Sequence, residues 1–198
     1  MLSDRFSKPA AAIVAVVSLL ALVACSGPAA PASPAASTAS AAGGQTRAEL
    51  VDTLDGIDGL TFSDAGGSEP NVKGNTGFVF QVRLEPGYEL ANPEGLVEFL
   101  AESAWSVNDD PMPNTTIEIN YTGDPRDGLD LAGTAKSEGW LAPHGGSVGV
   151  APNGFSRVVI PVSDYAAEKG VPENNDRLGP WPGPVPETPS DLTAPRTD

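Results

Sequence analysis

The 198-residue chain has a single cysteine and a single histidine. One cysteine forms no intrachain disulfide, so the folded part must be held by its core alone. A structural or catalytic zinc site also lacks its usual ligands. Basic residues are scarce: 11 Lys and Arg stand against 26 Asp and Glu, a formal charge of −15 at pH 7. A field of that sign disfavours nucleic acid and anionic headgroups as direct partners. It attracts cations and basic surfaces only weakly, with salt screening. Aromatic residues make up 6% of the chain, and its longest apolar stretch falls short of the roughly 20 residues that a membrane-spanning helix requires. No motif calls for a cofactor.

The N-terminus has the three parts of a secretory signal. Arg5 and Lys8 give it positive charge, Ala10 to Ala24 is apolar except for Ser18, and small residues lead into Cys25. The run closes as Leu22-Val23-Ala24-Cys25. This segment resembles the bacterial lipoprotein signal family, whose pattern is an aliphatic residue, a small or aliphatic one, a small one, then Cys. The Ala-, Pro- and Gly-rich usage fits lipoproteins of high-GC Gram-positive bacteria. The resemblance implies cleavage between Ala24 and Cys25 and a diacylglycerol, with palmitate-type chains, on the Cys25 sulfur. The mature protein would then sit on the extracytoplasmic face of a cell membrane. Two or more acyl chains, at about 0.8 kcal/mol per buried CH₂, hold a soluble domain stably. Residues 1–24 contain Asp4, Arg5 and Lys8, so cleavage would leave 25 acidic and 9 basic residues, a charge of −16.

Composition divides the rest. Residues 26–44 contain only Ala, Pro, Ser, Thr and Gly, which cannot form a core. With Cys25 and Gln45 they make a tether over 25–45, spanning on the order of 25 Å as a coil and roughly 65 Å extended. Residues 46–165 are the globular candidate. Residues 166–198 carry Pro172, Pro180, Pro182, Pro184, Pro186, Pro189 and Pro195 with few aliphatics, which reads as an extended, disordered tail. Trp181 lies inside that tail as an exposed side chain or as an anchor on its own domain or a partner.

Within 46–165 the periodicities predict an α+β two-layer sandwich: a mixed sheet of four or five strands with two or three helices mainly on one face. Helices are expected over 47–54 (Thr46 as cap), 93–107 (Asn92 as cap, Pro93 at the first position) and 129–138 (from Asp127 to a stop at Gly139). Strands are expected over 57–62, 78–84 and 115–121, with a hairpin of 148–151 and 157–162 about Pro152-Asn153-Gly154. Gly66-Gly67 to Gly74 reads as a loop. Strand 78–84, helix 93–107 and strand 115–121 suggest a parallel pair joined by a crossover. Trp105 and Trp140 fall at helix ends, where they would close the core edge.

Chemistry-bearing motifs are few. Asp124, Asp127 and Asp130 recur every third residue and are the candidate oxygen ligands for Ca²⁺. Asp127 has a competing use as a helix cap, and Arg126 is at hand to neutralise the group. Asp52, Asp55 and Asp58 repeat the spacing at a helix end. Gly145-Gly146-Ser147-Val148-Gly149 matches G-x-S-x-G with His144 before it, but a strand rather than a helix is expected to follow, unlike a nucleophile elbow. Glu94, Glu98 and Glu102 form a stripe on the polar side of the main helix, where nothing separates their acidities as a glycosidase pair needs. The sequence therefore indicates a membrane-anchored, non-enzymatic binding or accessory module. Its expected partners are the membrane, through Cys25, and an envelope protein. The alternatives are an envelope enzyme with unrecognised catalytic residues and a Ca²⁺-responsive surface module.

Overall fold

The computed structural model describes residues 43–142, 151–163 and 173–197. In chain order they form α1 (Arg47–Asp55), β1 (Leu60–Gly67), β2 (Gly77–Leu84), β3 (Tyr88–Leu90), α2 (Pro93–Ser106), β4 (Thr116–Thr122), a 3₁₀ turn (Pro125–Asp127), α3 (Leu131–Ser137), β5 (Phe155–Pro161), α4 (Asn174–Leu178) and β6 (Thr193–Pro195). The fold is α+β, with an open four-stranded sheet in the order β1-β2-β4-β5 and a separate ribbon of β3 and β6. The sheet is mixed: β2 and β4 run parallel, while β1 and β5 pair antiparallel at the edges.

Alternation decides the buried face. Phe78, Phe80, Val82 and Leu84 of β2 lie beside Ile117, Ile119 and Tyr121 of β4 and Val158 and Ile160 of β5. Against them α2 packs Leu96, Val97, Leu100 and Ala104, all fully buried. Each such large side chain contributes about 1.5–3 kcal/mol relative to exposure. Asn120 is the one buried strand residue on the opposite face.

The helix starts follow their caps. Thr46 and Glu49 form a reciprocal capping box on α1. Asn92 accepts from the Gly95 amide at 2.7 Å, with Pro93 opening α2. The third helix starts later than expected. Asp130, not Asp127, caps it, because Pro125–Asp127 closes first as a 3₁₀ turn capped by Asp124. At its far end the Trp140 amide reaches the Ala135 carbonyl (2.8 Å) and the Gly139 amide the Lys136 carbonyl (3.1 Å). These two bonds make a Schellman motif around Gly139, whose φ of 77° suits glycine.

Two strands also depart from expectation. β1 runs on through Gly66 and Gly67, which the sequence places in a loop, because a bulge between Phe62 and Asp64 shifts the register and returns Ala65 to the core. β5 pairs with β4. The turn at Pro152-Asn153-Gly154 does form, with Ala151 and Phe155 bonded across it at 2.9 Å, but residues 148–150 lie outside the described residues.

The largest correction concerns the tail. Residues 173–197 pack on the domain within one compact unit spanning 39–198. Leu178 and Leu192 are buried, Trp181 packs against the core, and β6 pairs with β3. Proline spacing suggested an extended chain, and much of the segment is irregular. Its few apolar side chains nevertheless find core positions.

Candidate functional site

The acidic loop is a lattice of internal pairs. Both oxygens of Asp124 accept from the Arg126 Nε at 3.0 Å. The hydrogen bonds from the Arg126 side chain and backbone hold the Asp124 carboxyl well below the usual carboxylate range. Asp127 takes the Arg196 guanidinium on both oxygens, at 2.9 and 2.7 Å. Asp130 accepts the Gly133 amide at 3.0 Å. Each candidate Ca²⁺ ligand thus already serves a guanidinium or a helix N-terminus. No group of three or more His, Cys, Asp or Glu among the described residues is placed to hold a metal ion. Behind the loop, burial and the charge of Asp127 push the Tyr121 hydroxyl up to about 12.

Asp52, Asp55 and Asp58 are exposed along and just beyond the end of α1. The α2 glutamate stripe meets α4: Arg177 bonds Glu98 at 3.1 Å and the Glu138 carbonyl at 2.8 Å, and lies 3.7 Å from the centre of the Trp140 ring. Burial, then the neighbouring Glu98 charge, raises the Glu102 carboxyl. Cys25, His144 and the Gly145–Gly149 motif lie outside the described residues.

On the sheet face opposite the one that packs against α2, Glu118 binds Arg157 through both oxygens, at 3.0 and 2.6 Å, and accepts from Asn120 at 2.8 Å. Burial raises the Glu118 carboxyl, but the Arg157 and Asn120 hydrogen bonds outweigh it and leave the group below its ordinary 4.5. A carboxyl lowered on folding stabilises the fold above its unfolded pKa, and that gain is lost as pH falls through the folded value. Glu118→Gln is therefore expected to cost about 1 kcal/mol at pH 7, as for a partly exposed charged hydrogen bond. The deficit should fade toward pH 3. Urea titrations at both pH values read it, and an equal deficit at both would contradict the assignment.

A concavity suited to a ligand lies elsewhere, where the tail crosses the end of α2. Its volume is about 560 Å³, inside the usual range for small-molecule sites. Trp105, Met112, Val162, Pro180 and Trp181 give apolar walls, while Asn114, Ser163, Asn175 and Asp176 give polar ones. The tail is fixed there: the Trp105 Nε1 donates to the Gly179 carbonyl (2.9 Å) and the Gly183 amide to the Trp105 carbonyl (3.1 Å). Trp105 is buried, whereas Met112 is 42% exposed at the mouth.

The chain enters the domain beside this cleft. The Gln45 amide donates to the Ser106 carbonyl (2.8 Å), and the Asn108 amide to the Gln45 carbonyl (2.9 Å). Gln45 is itself buried and donates to the Ser106 hydroxyl at 2.8 Å. Just before it, Gly44 has a φ of +93°, and a Cβ there would fall 2.3 Å from the Ser106 carbonyl oxygen and 2.9 Å from the Pro182 Cβ. The root of the expected tether is therefore clamped next to Trp181-Pro182. Sequence reasoning singled out both tryptophans but not their meeting. The one signal was an indole in a segment otherwise poor in apolar residues.

Comparison of the chain with protein-family models, with curated proteins and with solved structures finds no match.

Proposed function

We propose that this protein is a lipid-anchored, extracytoplasmic binding or accessory module, held on the membrane through Cys25 and displayed on the 25–45 tether. The observation that carries the binding part is the Trp105–Trp181 cleft. Its apolar walls and sparse polar groups suit recognition, while the acidic loop directs its carboxylates to internal partners. The anchor rests on the resemblance around Leu22-Val23-Ala24-Cys25. No helix among the described residues is long and apolar enough to cross a membrane, which is compatible with attachment by acyl chains.

Two measurements test the proposal. Metabolic labelling with a palmitate analogue should mark the wild-type protein and leave Cys25→Ala unlabelled and unprocessed. Normal labelling of that variant would sink the anchor. Crosslinking in intact cells, read by mass spectrometry, should recover an envelope component in constant ratio with the wild type and lose it with Cys25→Ala. Recovery of the protein alone would remove the accessory reading.

A further inference from the structure

We infer that the Trp105–Trp181 cleft is a site for a neutral saccharide, an inference that rests on the reading of the protein as an extracytoplasmic binding module. Charge sets the first limit. Among the described residues that line the cleft there is no Lys or Arg, and the ionisable one is Asp176, in a chain with a formal charge of −15. Against these residues a phosphate or carboxylate ligand would meet one repelling group, Asp176.

Shape and polarity narrow the class further. The Trp181 indole and the Met112 thioether favour a ligand with an apolar face, which the C–H side of a pyranose ring supplies. The remaining walls are amide, hydroxyl and carboxylate. Asp176 is exposed, carries no ion pair among the described residues and can only accept hydrogen bonds. A sugar hydroxyl donates to such a group. A hydrocarbon ligand would strip Asp176 of water without replacing its donors. A proline-rich peptide brings few N–H groups to it. A saccharide thus satisfies the apolar and the accepting wall together, and the cleft volume leaves room for a short oligomer.

Position agrees with this chemistry. The tether root at Gly43–Gln45 packs beside Pro182, so the cleft opens near the point where the expected anchor leaves the domain. A ligand there would lie within tether reach of the membrane, in the layer that envelope glycans occupy.

The test is isothermal titration of the purified full-length protein with a tetramer of β-linked N-acetylglucosamine. Saturable binding is expected with the wild type. Trp181→Ala should weaken it about tenfold, and Trp181→Phe less, since a ring face remains. Trp181 also packs on the core, so Asp176→Asn is the second variant. It lies on the surface, should leave the melting temperature unchanged, and should weaken binding about three- to tenfold. Absence of saturable binding, binding indifferent to both positions, or binding of a proline-rich peptide in place of the tetramer would overturn the inference. Acyl labelling of Cys25 is a separate readout, so failure of the saccharide site and failure of the anchor are told apart.

Discussion

A chain ending at residue 172 is expected to melt roughly 10–20 °C below the intact protein, or to lose its cooperative transition. The estimate starts from burial. Leu178 and Leu192 are 9% and 1% exposed, and removing them forfeits about 1.5–3 kcal/mol each. The truncation also uncovers surface of Trp105 and Tyr88 and takes away Arg177, which stacks on Trp140. It leaves Asp127 without its Arg196 partner and β3 without a neighbouring strand. A total near 5 kcal/mol is a large share of the about 5–15 kcal/mol that holds a domain of this size. At about 2–4 °C per kcal/mol the shift follows. Circular dichroism melts of the two chains measure it. A change of only a few degrees would show that the tail does not contribute to the core. Leu192→Ala offers a milder check, with about 2–4 kcal/mol expected from the cavity left in the core.

The tail also marks where the sequence stops being legible. β2 and β4 were readable because Phe78, Phe80, Val82 and Leu84, and Ile117, Ile119 and Tyr121, alternate without interruption, so pattern and burial coincide. Helices α1 and α2 were readable because Thr46 and Asn92 cap locally, within the residues that they organise. Misreadings arose where a distant partner decides. The continuation of β1 depends on a bulge that only pairing with β2 reveals. Asp127 was assigned as a helix cap or cation ligand because its true partner, Arg196, is 69 residues away. The cleft depends on Trp181 reaching the end of α2, and nothing local to Gly179–Pro184 says that it does. Proline fixes φ and removes a donor, but it does not prevent a segment from burying its side chains.

Asn174→Asp is expected to destabilise the protein by about 3–5 kcal/mol at neutral pH, as a buried charge without compensation does. Asn174→Ala should cost less, about 1–3 kcal/mol for hydrogen bonds left unmade. Asn174 is 1% exposed, and its Nδ2 donates to the Trp140 carbonyl at 3.0 Å and the Pro161 carbonyl at 2.7 Å. One amide thus joins the start of α4 to Trp140, three residues past the end of α3, and to the last residue of β5. A helix as short as Asn174–Leu178 has no stability of its own, so such tertiary bonds must supply it. Alanine removes the donor and leaves two carbonyls short. Aspartate keeps the shape but sets a carboxylate oxygen against the same two carbonyl oxygens, so the folded state would prefer that side chain protonated. Its pKa would rise on folding above the unfolded value of about 3.9. The folded protein then binds the extra proton, and stability falls as pH rises from the unfolded value to the folded one. Below both values the carboxyl hydrogen restores one of the two bonds. The gap between the two variants should therefore be widest near pH 7 and narrow or reverse near pH 4, each read against the wild type at the same pH by urea denaturation. A gap that ignores pH, or an aspartate variant as stable as the wild type at pH 7, would mean that this amide does not bridge the two carbonyls and that the tail is held by its other contacts.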